Sequence, residues 1–166
     1  VHEYLREIVL AEKARKKKRL RCLQAQPVES LLPSPTTWIS VEDLLRKEGQ
    51  DGGTLALRLE DDKADERPFC LSSFRVLSVL SSANRPLLLQ CRDADGEEKA
   101  LIFKTDDNMD NDRLCQDIAR WLDAEIFRAA PQLQAAVHTY DIYNERFIDP
   151  QADEKDNEVP TAFIQV

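Results

Sequence analysis

The chain is 166 residues long, 42% apolar and 33% charged, with a formal net charge of −8; that suits one globular domain with its own core and is short for two. No apolar run approaches the ~20 residues of a membrane-spanning helix. Seven of the 23 basic residues crowd into positions 13–21 (Lys13, Arg15, Lys16, Lys17, Lys18, Arg19 and Arg21), leaving 16 against 31 acidic ones, so the body is too acidic to be a nucleic-acid-binding surface.

Residues 1–24 predict a helix, with Tyr4, Leu5, Ile8 and Val9 as a short apolar stripe that fades into the basic run. That run reads as a solvated helix face, or as a contact for a protein partner or an anionic membrane surface. Pro27, Pro33 and Pro35 mark 26–37 as an extended connector, so 1–37 is read as a basic helix and linker and 38–166 as the folded domain. Ser40-Val-Glu-Asp43 resembles a capping box and starts a short helix. Gly49–Gly53 predicts a turn and Thr54–Leu59 a strand, while 60–67 is a charged loop. Phe69–Leu80 supplies one or two short strands. Leu87–Arg92 and Lys99–Lys104 form a hairpin across Asp93-Ala-Asp-Gly96, because Asp-Gly is a strong turn signal.

The strongest helical pattern follows, over 108–127. Asp106 or Asp107 can cap it. Leu114, Cys115, Ile118, Trp121, Leu122 and Ile126 recur at helical spacing, so this helix is expected to bury Cys115, Ile118, Trp121 and Leu122 against the sheet. On that expectation Ile118→Asp unfolds the domain. Ala136–Tyr143 is a short strand, 149–158 an acidic mobile loop, and Thr161–Val166 a last strand. The expected class is α+β: an antiparallel sheet of about five strands with one packed amphipathic helix, preceded by the basic helix. Val at position 1 and the strand-like final segment suggest that both ends are cut from a longer chain. Cys22, Cys70, Cys91 and Cys115 show no paired metal spacing and read as reduced thiols of an intracellular, nuclear or cytoplasmic protein.

Chemistry concentrates between Val79 and Asp112. Lys104 ends an apolar strand, and Asp112 lies about one turn into the helix behind it. If that helix packs on the sheet, the two can pair and present an ammonium to phosphate oxygens. His2 and His138 are too few and too distant for a metal site or a triad. Ser81 and Ser82 lack the glycines of a nucleophile elbow.

The stretch 69–143 resembles the amino-terminal lobe of the phosphatidylinositol-3-kinase-related protein kinases. The likeness is carried by Ser81 and Ser82 with Arg85-Pro86, by Asp93-Ala-Asp-Gly96, by Lys104, and by Asp107-Asn-Met-Asp-Asn-Asp112. Pro86 to Gly96 spans ten residues, and Gly96 to Lys104 and Lys104 to Asp112 span eight each. The resemblance implies an ATP-binding set of Ser81, Ser82, Arg85, Lys104, Asp112 and Tyr140, with Lys104 on the phosphates and Tyr140 lining an inner nucleotide pocket. Phe163–Val166 would approach the hinge to the other lobe. It implies ATP with magnesium as cofactor, a carboxy-terminal lobe as partner, and Ser/Thr kinase signalling in stress, DNA damage or growth. Leu87, Arg92 and Met109-Asp-Asn-Asp112 depart from the family pattern. No catalytic loop or metal motif occurs in the chain, which leaves kinase and pseudokinase both open and makes the fragment inactive alone.

The rival resemblance is a pleckstrin-homology-like module binding phosphoinositide or protein, with Asp112–Ile118 in its closing helix. It explains 38–127 as a pattern. It leaves the Arg-Pro, Gly, Lys and Asp spacing and residues 136–166 without a role.

Overall fold

The hairpin that the Asp-Gly turn predicts forms the middle of the molecule. The computed structural model describes residues 1–21, 31–47, 49, 53–57, 68–105, 108–132, 138–148 and 158–165. Its elements are α1 (His2–Arg21), β1 (Ile39–Ser40), α2 (Val41–Lys47), β2 (Leu55–Leu57), β3 (Phe69–Val79), β4 (Leu87–Asp93), β5 (Glu98–Thr105), α3 (Asp110–Ala129), β6 (Ile142–Ile148) and β7 (Glu158–Gln165). At the β4–β5 turn the Asp93 carboxylate accepts the N–H groups of Asp95 (2.9 Å) and Glu97 (2.8 Å). Gly96 supplies the left-handed residue, φ +90°, that a side chain would resist. At α2 the Ser40 hydroxyl caps as expected, accepting the Asp43 N–H at 3.2 Å.

The fold is α+β, with one antiparallel sheet in the order β1-β3-β4-β5-β7-β6 and β2 also on β3. Among the described residues it has seven strands rather than about five. Phe69–Val79 is one 11-residue strand, and β1 and β2 both line its outer edge. Register shifts at Leu71/Ser73 and Val76/Ser78 let so long a strand bend. The strand expected over 136–143 is displaced, since β6 begins at Ile142, while the last strand forms where expected and starts three residues earlier, at Glu158. The expectations for 26–30, 60–67, 106–107 and 149–157 lie outside the described residues.

Side chains alternate across the sheet, so each strand feeds two faces. One face carries Phe74, Leu87, Leu89, Leu101, Phe103 and Phe163, and it is covered by Leu5, Ile8 and Val9 of α1. The rings of Phe103 and Phe163 lie 5.1 Å apart, and His2 sits edge-on to Phe163 at 5.6 Å. Full burial of each such aliphatic side chain is worth roughly 1.5–3 kcal/mol. The basic helix is thus built into the core of the sheet, with Lys16 and Lys17 exposed beyond its buried half. The opposite face carries a smaller cluster of Ile102, Ile142, Ala162, Ile164 and Met109.

The expectation for the 108–127 helix is corrected. α3 forms, but none of its residues is buried. Ile118, Trp121 and Phe127 are 47%, 62% and 68% exposed, and Cys115, Leu114 and Leu122 are exposed too. The large apolar face of the sheet is already filled by α1. α3 instead docks by its other side, where Arg120 donates to the Tyr140 carbonyl (2.9 Å), to the Asp141 carboxylate (2.6 Å) and to the Thr139 hydroxyl (3.3 Å). The N-cap position is Met109, without a side-chain cap. Just before it, the Asn108 side chain accepts the Asp110 N–H at 2.8 Å.

Cys70, Cys91 and Cys115 are free thiols, and burial pushes Cys91 up to about 12. Among the described residues no helix is long and apolar enough to cross a membrane.

Candidate functional site

The candidate site is one end of the sheet, where a lysine, a loop and a helix start converge. β5 is flanked by β4 and β7, so Lys104, its next-to-last residue, lies at the end of a central strand. Its position in the pleat places it on the face of Ile102, Ala162 and Ile164, away from α1. The half-buried Lys104 reaches Met109 at the start of α3, with Nζ 3.5 Å from Sδ. Met109 is 3% exposed and packs with Ile142, Ala162 and Ile164. The helix start is thereby fixed beside the lysine, although the apolar stripe further along is not used.

The Ser81–Pro86 loop joins β3 to β4 at this same end. Leu87 pairs with Phe103, so Pro86 follows on opposite Lys104. The loop is closed by the Leu80 N–H donating to the Pro86 carbonyl at 2.8 Å. Ser81 and Ser82 lie exposed at its tip, where their hydroxyls and backbone N–H groups are accessible to an anion. Ile102 and Leu88 form a half-buried apolar strip leading away from the lysine on the same face. A cation, an exposed loop and an apolar strip suit the phosphates and the base of a nucleotide. Among the described residues no group of His, Cys, Asp or Glu could hold a metal ion.

Three members of the expected set lie elsewhere. Asp112 is exposed on α3, and none of the ion pairs among the described residues joins it to Lys104. The helix meets the sheet through Met109, one turn too early for Asp112 to face the lysine. Tyr140 precedes β6. Lys104 shares a row with Ala162 and Asn144, whereas Tyr140 falls four positions before Asn144, about 13 Å along the strand direction. Its N–H donates to Gln116 at 3.2 Å and its carbonyl accepts Arg120, so it anchors α3 and lines no pocket at the lysine. Arg85 turns to the other side of the sheet. Its guanidinium is 3.5 Å from the carboxylate of Glu12 on α1.

Glu12 is the residue that reading the sequence misses. A glutamate inside a basic helix reads as solvated, yet this one is 6% exposed. The available signal is its place on the stripe, four residues after Ile8. At the far end of the sheet, Trp38 stacks under Arg92 at 4.2 Å and Arg75 at 5.1 Å. Both arginines are tied into hydrogen bonds with Gln90 or Glu98, and the Arg92 hydrogen bond holds Glu98 below the usual carboxylate range. That group is internally satisfied and structural.

Comparison of the chain with protein-family models, curated proteins and solved structures found no match.

Proposed function

We propose that this chain is the ATP-phosphate-binding amino-terminal lobe of a Ser/Thr protein kinase, or pseudokinase, related to the phosphatidylinositol 3-kinases, serving stress, DNA-damage or growth signalling in the nucleus or cytoplasm. The observation that carries the reading is the position of Lys104. It is the next-to-last residue of a central strand, opposite the buried Pro86 that closes the Ser81–Pro86 loop, with an apolar strip behind it on the same sheet face. Its ammonium would neutralise phosphate oxygens, and the loop would close over them. Magnesium and the groups that orient the accepting hydroxyl belong, on this reading, to the carboxy-terminal lobe.

The order of elements after Lys104 supports this reading over a pleckstrin-homology-like one. A closing helix ends such a module, whereas α3 is followed by β6 and β7, and β7 joins the sheet beside the lysine strand. Phe163 and Ile164 lie in that neighbouring strand, where a hinge to a second lobe would begin.

The test is Lys104→Met in the full-length protein. The substitution removes the charge and keeps an unbranched stem. Phosphate transfer should fall at least about 100-fold, as expected for a lost charge-assisted phosphate contact, with thermal stability unchanged. In a pseudokinase the same variant should weaken magnesium ATP binding. Unchanged activity and unchanged binding would remove Lys104 from the site.

A further inference from the structure

The stripe of α1 that faces the sheet does not end at Val9. Glu12 takes its next position, and an acid there gives up most of its hydration. Buried ion pairs return little net stability for that loss, so the pair is better explained by the conformation it fixes than by the strength it adds. Both carboxylate oxygens are engaged. Oε1 accepts Arg15 Nη1 at 2.6 Å, and Oε2 lies 3.5 Å from Arg85 Nη2. Arg15 is a neighbour on the same helix. Arg85 belongs to the Ser81–Pro86 loop and is reached across the core.

Arg85 is also the only described non-glycine residue with a positive φ, 52°. An L-residue holds that conformation only where its surroundings fix it. Its side chain is 20% exposed, and Glu12 is the acid that meets its guanidinium. Turned inward, Arg85 cannot reach a phosphate on the Lys104 face. It can set where Ser81 and Ser82 stand.

We propose that Glu12 is a positioning residue: through Arg85 it latches the Ser81–Pro86 loop of the phosphate site to α1. This rests on reading Lys104 as the phosphate-binding lysine. Glu12 touches no ligand. Docking of the basic helix on one face of the sheet and readiness of the loop on the other become one event, and displacing the helix releases the loop.

The experiment uses the full-length protein with Glu12→Gln, Arg85→Gln, the double variant, and Lys104→Met as reference. Magnesium ATP and adenosine, which has no phosphates, are the probes. Glu12→Gln and Arg85→Gln should each raise the Kd for ATP about tenfold, the loss of one charge-assisted contact, and leave adenosine binding unchanged. Amide exchange over 80–85 should rise in both variants with or without ATP. The double variant should be no worse than either single one, because one shared contact is lost. If Lys104→Met weakens ATP binding while both glutamine variants keep wild-type affinity and loop protection, the latch is overturned and the site stands. Equal weakening of ATP and adenosine would also overturn it, since that reports general disruption. If Lys104→Met changes nothing, or the unaltered protein binds no ATP, the reading of the site itself falls. Should Glu12→Gln fail to fold, Arg85→Gln, whose side chain is less buried than that of Glu12, carries the same comparison.

Discussion

α1 and α3 are both 20 residues long, and they reverse the roles that their sequences suggest. α1 has only a short apolar stripe before a run of cations, yet Leu5, Ile8 and Val9 are fully buried on the sheet. α3 carries the longer and cleaner stripe and leaves it in solvent, holding on through Met109 and Arg120. Periodicity tells how a helix would bury a face. Which helix does so depends on which reaches the sheet's apolar side, and the aromatic rings of Phe103 and Phe163 lie under α1.

The contrast can be broken most directly at equivalent isoleucines. Ile8→Asp places an unpaired carboxylate at a site 1% exposed. The expected cost is on the order of 5 kcal/mol, comparable with the whole stability of many domains, so far-ultraviolet circular dichroism should show an unfolded chain. A folded Ile8→Asp protein would mean that α1 does not cover the sheet in solution.

His2 gives a smaller effect with a definite sign. Burial, and then the neighbouring amino terminus, lower its pKa to about 4 from an ordinary 6.5. The folded state therefore resists the proton that the unfolded chain takes up. The stability contributed by keeping His2 neutral is complete above pH 6.5 and is lost as the pH falls toward 4, by about 3 kcal/mol. Urea midpoints from pH 7.5 to 4.5 would show this fall, and His2→Leu should flatten it. An equal slope in His2→Leu would place the titration elsewhere.

The smallest effect belongs to α3. Ile118→Asp should change stability by no more than about 0.5 kcal/mol, as exposed substitutions do. A fall of several degrees in melting temperature would show that the α3 stripe is covered after all.

Local chemistry made much of this molecule legible. The Asp93–Gly96 turn, the Ser40 cap and the hairpin of 87–92 with 99–104 were readable because each is decided by neighbours in sequence. So were Lys104 and the loop opposite it, since a hairpin register follows from its turn. What eluded reading depends on distant partners. The exposure of Trp121 follows from α1 occupying the sheet. The late start of β6 moves Tyr140 out of the row of Lys104. The burial of Glu12 depends on an arginine 73 positions away, as their numbers show. The first helix and the linker were expected apart from the domain, and the packing of Leu5 against the sheet is equally invisible along the chain.

The contact between His2 and Phe163 joins the first described element to the last. A core closed in this way cannot be completed until β7 has been made. Until β7 emerges, α1 has no Phe163 to dock on, and its stripe remains available to other hydrophobic surfaces. Contacts so distant in sequence slow folding and lengthen the aggregation-prone interval. Expression at lower temperature, or with a chaperone that shields apolar helices, should therefore raise the soluble yield.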